Sequence, residues 1–184
     1  MYVSLEMPVD DDLVSKALGA ESEINFLGAE KYGFYVGDEK RAREVAAQID
    51  KFPLKMVYRP RLTPRQLQLE CWRAKQDLQK SLGLVVIDYL GLMQGNRPAK
   101  ERFVEMSGVV TDLKALAGEL RVPILSLAQI NREGAKGGGE FTPPTLDQIR
   151  DTGTAEEHAD NVIVLWAAKR TKRPALDRRG NNSA

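Results

Sequence analysis

Leu84-Val85-Val86-Ile87-Asp88 is an uninterrupted apolar run that stops abruptly on a carboxylate. Such a run reads as a buried strand. A carboxylate at its carboxyl end is the arrangement with which nucleotide-hydrolysing α/β enzymes hold Mg²⁺, the pattern called Walker B. The companion loop GxxxxGK[ST], whose backbone amides and lysine neutralise a triphosphate, occurs nowhere in the 184 residues. Met1-Tyr2-Val3-Ser4-Leu5-Glu6 reads as the inside of a strand rather than as a leader, so the expectation is of a chain cut short upstream.

Outward from that run the order is strand, helices, strand, helix, strand, helix, strand, helix, strand. This rhythm predicts an α/β protein with a mainly parallel sheet flanked by helical crossovers. Residues 1–5 form the first strand, 10–18 and 38–49 have helical composition, and the aromatic stretch 32–36 is a β-prone interruption. A short strand over 54–58 follows Pro53. Thr63-Pro64-Arg65-Gln66 then combines an N-cap threonine, a proline at the first helical position and a glutamine at the third, a capping-box start. Leu67, Cys71, Ala74 and Leu78 recur at helical spacing behind it, and Gly83 lies past the end. A second amphipathic helix spans 100–120, with Phe103, Met106, Val110, Leu113, Ala117 and Leu120 on one face. Strands at 124–129 and 161–166 complete the pattern, separated by the glycine- and proline-rich loop 132–144 and a helical or capped segment over 146–159.

The net charge of +1 gives the molecule as a whole no pull toward polyanions or membranes. Positive charge is instead concentrated at the end, where Lys169, Arg170, Lys172, Arg173, Arg178 and Arg179 face a single Asp177. The chain therefore divides into a domain over 1–167 and a basic tail over 168–184. The lone Cys71 excludes an intramolecular disulfide and a cysteine-built zinc site, which fits the cytoplasm. No apolar stretch approaches the roughly 20 residues of a membrane helix. Trp72 and Trp166 fall on apolar faces and are expected to fill core, whereas His158, beside Glu156, Glu157 and Asp160, is expected to face solvent.

Glu6, Asp88 and Gln129 each sit at the carboxyl end of an apolar strand, the edge at which open parallel sheets bind ligands. Each alone is accounted for as the point where a strand leaves the core; three together at one edge carry more weight. A carboxylate that holds metal, a second that orients or deprotonates water, and an amide that senses a γ-phosphate form a coherent set.

Four stretches, Tyr2-Val3-Ser4-Leu5-Glu6-Met7, Val86-Ile87-Asp88-Tyr89-Leu90-Gly91-Leu92-Met93, Ala128-Gln129-Ile130-Asn131-Arg132 and Ile149-Arg150-Asp151-Thr152-Gly153, resemble the successive motifs of the DnaB-type replicative helicases, in order and at close to the family's spacing. The resemblance implies a RecA-like P-loop NTPase core, truncated at both ends, that uses ATP and Mg²⁺ and acts in the full-length protein as a homo-hexamer on single-stranded DNA. It implies Glu6 as the catalytic base, Asp88 as the Mg²⁺-associated carboxylate, and Gln129 as the sensor between nucleotide and DNA. Arg150, Asp151 and Gly153 would fall in the loop that follows the DNA backbone, with Arg132 and Lys136 as further DNA contacts from the glycine-rich loop. Gly91, Ala128 and Asp151 stand where the family commonly has glutamine, serine and glutamate. The family's Lys-x-Arg finger belongs beyond a further strand, and Lys169-Arg170 and Lys172-Arg173 follow the preceding strand too closely to be assigned to it. The alternative is a catalytically incomplete protein of the same fold that binds DNA or a helicase partner without hydrolysing ATP.

Overall fold

The computed structural model describes residues 1–9, 13–79, 81–97, 99–130, 145–146, 149 and 155–165. Four short strands, β1 (Tyr2–Ser4), β2 (Met56–Tyr58), β3 (Val85–Asp88) and β4 (Ile124–Ser126), form one sheet in the order β2-β1-β3-β4. All three pairings are parallel, with Val3 level with both Val57 and Ile87, and Ile87 level with Ser126. The helices are α1 (Val14–Ser22), α2 (Phe26–Tyr32), α3 (Asp38–Ile49), α4 (Pro64–Leu78), α5 (Arg102–Leu120) and α6 (Ala155–His158).

The core lies on one face of this sheet. Val3, Val57, Val85 and Ile87 alternate along their strands and are buried with Leu67, Cys71 and Ala74 of α4 and Met106, Val109, Val110, Leu113, Leu116 and Leu120 of α5. The period of two in the strands meets the period near 3.6 in the helices, and that match is what lets both elements bury one side. The opposite sheet face, with Tyr2, Met56, Val86 and Leu125, is half-covered, and Leu125 remains 44% exposed. Helices α1 and α3 pack on each other, burying Leu13, Ala42 and Val45 apart from the main core.

Helix α4 starts as its sequence dictates. Thr63 Oγ1 accepts from the Gln66 amide at 3.3 Å and the Gln66 side chain accepts from the Thr63 amide at 2.9 Å, so two donors with no partner inside the helix are satisfied reciprocally. Its stop differs from the sequence reading. Gln79, not Gly83, adopts the left-handed conformation at the C-cap, with φ 49°.

Several expectations are corrected. The first helix begins at Val14, and residues 10–12 lie outside the described set. Residues 32–36 form no strand: Tyr32 ends α2, and Gly33 and Gly37 turn the backbone at φ 81° and 94°, leaving Tyr35 and Val36 in solvent with no neighbouring strand. In α5 Phe103 is exposed in the first turn, and Val109 and Leu116 take the buried places. Residues 161–165 form no strand, because β4 has no partner on its outer side among the described residues and Ile163 and Leu165 stand open to water. Trp72 does not fill core; it is 49% exposed on the outer side of α4. Trp166 and the tail 168–184 lie outside the described residues. No helix among the described residues is long and apolar enough to cross a membrane.

Candidate active site

The strand order places the site. The chain leaves β1 toward β2 on one side and leaves β3 toward β4 on the other, so the carboxyl ends of β1 and β3 flank a point where connections diverge. In open parallel sheets that crevice is where ligands bind. Ser4 is level with Asp88 there, and pairing continues one residue beyond each strand: the Leu5 amide donates to the Asp88 carbonyl at 2.8 Å, and the Leu127 amide to the Ile87 carbonyl at 3.0 Å. Glu6 follows Leu5 directly and Gln129 comes two residues after Leu127, both exposed. The three sequence candidates are thus brought to one edge, with Asp88 on the central strand between Glu6 and Gln129.

Asp88 is half-buried and its Oδ2 accepts a hydrogen bond from the phenol of Tyr2. Tyr2 is level with Val86, so its ring runs along the half-covered sheet face for two residues to reach the carboxylate. Burial first, then the hydrogen bond to Asp88 and that group's negative charge, push the Tyr2 phenol well above its ordinary value, so it donates at all ordinary pH. Sequence reasoning missed this partner. Its only signal was parity along two strands whose register is a tertiary fact.

Behind Asp88 the peptide to Tyr89 is cis, and the chain passes into a 3₁₀ turn (Leu90–Leu92) held by the Leu90 amide, which donates to the Leu127 carbonyl at 2.8 Å. Arg102 donates to the carbonyls of Gly91 (2.8 Å) and Met93 (2.9 Å), while Glu105 accepts from the Gly95 amide at 2.9 Å. The amide of Gly95, then the adjacent Arg102, hold Glu105 below the usual carboxylate range. The segment leaving the Walker B strand is therefore tied to the first turn of α5 by charge-assisted bonds. His158 sits against α5 with Nε2 3.4 Å from Thr111 Oγ1 and is half-buried rather than fully in solvent, away from this edge.

The donor set bears on the metal that the pattern implies. Mg²⁺ takes six oxygens, keeps several waters and needs one or two carboxylates plus substrate phosphates. Asp88 supplies one carboxylate whose Oδ1 has no hydrogen-bond partner among the described residues, which fits a cation delivered with a nucleotide. No group of three or more His, Cys, Asp or Glu able to form an all-protein cage occurs among the described residues. Arg132, Lys136, Arg150, Asp151 and Gly153 lie outside the described residues.

The DnaB-like helicase C terminal domain model matches residues 1–182. The chain belongs to that family. Curated DnaB relatives include the replicative DNA helicases of Mycobacterium intracellulare (33% identical over 164 residues), Helicobacter pylori strain J99 (32% over 166) and Geobacillus stearothermophilus (32% over 164). These alignments cover 88%, 89% and 89% of this DnaB-family chain but only 27%, 33% and 35% of those proteins. The chain thus spans about a third of the length of the curated relatives it matches. Among solved structures, a DnaB-like replicative helicase described with its interactions with primase superposes with a TM-score of 0.76 at 23% identity, covering 86% of this chain and 38% of that one. A second solved chain, an ATPase domain, superposes with a TM-score of 0.77 at 23% identity, covering 86% of this chain and 56% of that one. The α/β parallel core is the fold of the DnaB-like ATPase domains.

Proposed function

We propose that this chain is part of a replicative DNA helicase motor that couples ATP hydrolysis to translocation on single-stranded DNA and to duplex unwinding, as a homo-hexamer in the full-length protein. The observation that carries the reading is the meeting of Glu6, Asp88 and Gln129 at the diverging edge of a parallel sheet in a chain of the DnaB family. Asp88 holds Mg²⁺, directly or through water, and the cation when bound neutralises charge on the phosphates. Glu6, exposed and one residue past the β1 pairing, takes the proton of the attacking water. Gln129 reports the γ-phosphate to the segment that follows β4. Arg150, Asp151 and Gly153, with Arg132 and Lys136, contact the DNA backbone without reading bases, as a translocating motor requires. Residues 1–167 form part of the motor domain and 168–184 a basic tail.

The absence of GxxxxGK[ST] favours a second reading for the chain by itself, a protein of this fold that binds DNA or a helicase partner without turnover. ATP hydrolysis by the chain, with and without single-stranded DNA and at concentrations that permit assembly, separates the two. DNA-stimulated turnover supports the motor. Bound DNA with no turnover supports the second reading.

A further inference from the structure

Helix α4 presents an outer face that the core does not use. Positions 65, 69, 72 and 76 fall within about 60° of one another at ~100° per residue, and Arg65, Leu69, Trp72 and Gln76 there are all exposed, Leu69 at 46% and Trp72 at 49%. Beside this stripe, on the flank toward β2, stand Arg73 and Glu70. Glu70 is 9% exposed, and its Oε1 accepts from both Arg59 Nε and Arg73 Nη1 at 3.0 Å. One carboxylate cannot neutralise two guanidiniums, whose side chains remain 54% and 64% exposed. It fixes them on either side of itself; Arg59 Nη1 also donates to the Tyr58 carbonyl at 3.3 Å, and both side chains stay largely open to solvent.

Arg61 and Arg65 add charge to the same end of the helix. Arg61 is exposed at φ 59°, two residues before the Thr63 cap, and neither Arg61 nor Arg65 has an acidic partner among the described residues. Four guanidiniums against one carboxylate thus concentrate positive charge in a chain whose total is only +1. The carboxylates nearest the other flank, on α5, keep their charge but form no ion pair with these arginines: Glu119 accepts from the neutral amide of Gln68 at 2.6 Å and Asp112 from that of Asn96 at 2.7 Å. The patch also begins at the ligand edge of the sheet, since the Arg59 amide continues the β2 pairing to the Ser4 carbonyl at 3.0 Å.

We infer that the end of β2 and the outer face of α4 form a second contact for single-stranded nucleic acid, in which Arg59, Arg61, Arg65 and Arg73 hold phosphates and Trp72 stacks a base. This rests on the reading that the protein acts on DNA, and extends it to residues other than Arg132, Lys136 and Arg150. Charge complementarity selects the occupant. A polyanion satisfies guanidiniums left without carboxylates, and an exposed indole beside them offers a platform that any base can use.

The test is a salt series of oligo-dT binding to the full chain in a Trp166→Phe background, read by anisotropy of the labelled strand and by quenching of Trp72. Stacking predicts quenching on binding, and Trp72→Ala is expected to weaken affinity about 5- to 150-fold, the range of one base stack. Arg61→Ala with Arg65→Ala is expected to reduce the slope of log Kobs against log salt by about 1.4, at ~0.7 per phosphate on a single strand. These residues are on the surface, so circular dichroism should match the parent. Binding that Arg150→Ala weakens while Trp72→Ala and the double arginine variant leave affinity and slope unchanged overturns this inference and spares the proposed function. No binding by the parent overturns both. Unquenched Trp72 with self-association abolished by Trp72→Ala makes the face a protein interface and overturns the inference.

Discussion

Tyr2→Phe removes one oxygen and keeps the ring against the sheet, so it isolates the hydrogen bond to Asp88 Oδ2. A hydrogen bond to a charged group contributes roughly 1.5 to 3 kcal/mol when buried. This one is only part-buried, which places the expected loss near the low end, about 1.5 kcal/mol at pH 7. The pH dependence gives a second, independent signature. The folded phenol is raised above its ordinary value of 10.0. Below about pH 10 it is protonated in both states and its contribution is present in full. Above that, the unfolded phenol ionises while the folded one keeps its proton, and the contribution is lost as pH rises toward the folded value. The advantage of the parent over Tyr2→Phe should therefore shrink by up to about 1.4 kcal/mol for each pH unit above 10. Urea unfolding followed by tryptophan fluorescence at pH 7 and at about pH 10.5 to 11 measures both quantities. Equal stability at pH 7, or a difference that stays constant into alkali, would refute the reasoning that Tyr2 holds the Asp88 carboxylate.

Thr63→Ala should cost about 1 kcal/mol in urea unfolding by removing the Oγ1 that accepts from the Gln66 amide, and Thr63→Ser should recover most of it. Cys71 is fully buried, and burial pushes its thiol up to about 11, so at pH 8 an aromatic disulfide reagent should label it only as fast as the chain unfolds; prompt labelling in native buffer would contradict that burial. With a GxxxxGK[ST] segment fused ahead of Met1, Glu6→Gln should lower ATP turnover about 10²- to 10⁴-fold while leaving nucleotide binding unchanged. Retained turnover would remove Glu6 as the base.

What was legible in the chain was what local chemistry decides. Thr63, Pro64 and Gln66 satisfy their own amides within one turn, so the start of α4 is written where it occurs. The run from Val85 to Asp88 has no alternative to a strand once its apolar side chains must be buried. The stretches misread are those where propensity was asked to stand for partnership. Residues 32–36 and 161–165 have strand-forming side chains, but a strand exists only where another supplies the opposite half of each hydrogen bond, and neither stretch has one among the described residues. Trp72 was assigned to the core by its chemistry, although the core face of α4 was already filled by Leu67, Cys71 and Ala74.

The sequence by itself determined the class of the fold, the elements that carry Glu6, Asp88 and Gln129, and the lack of a GxxxxGK[ST] loop, because each depends on residues within a few positions of one another. Only the tertiary structure decided that β3 lies between β1 and β4, that the connections diverge beside Asp88, and that the Tyr2 phenol reaches its carboxylate. The same holds for the joining of Arg59 and Arg73 through Glu70. Register and strand order are fixed by which faces bury together between Tyr2 and Asp88, 86 positions apart in the chain, and a contact at that separation leaves no local pattern to read.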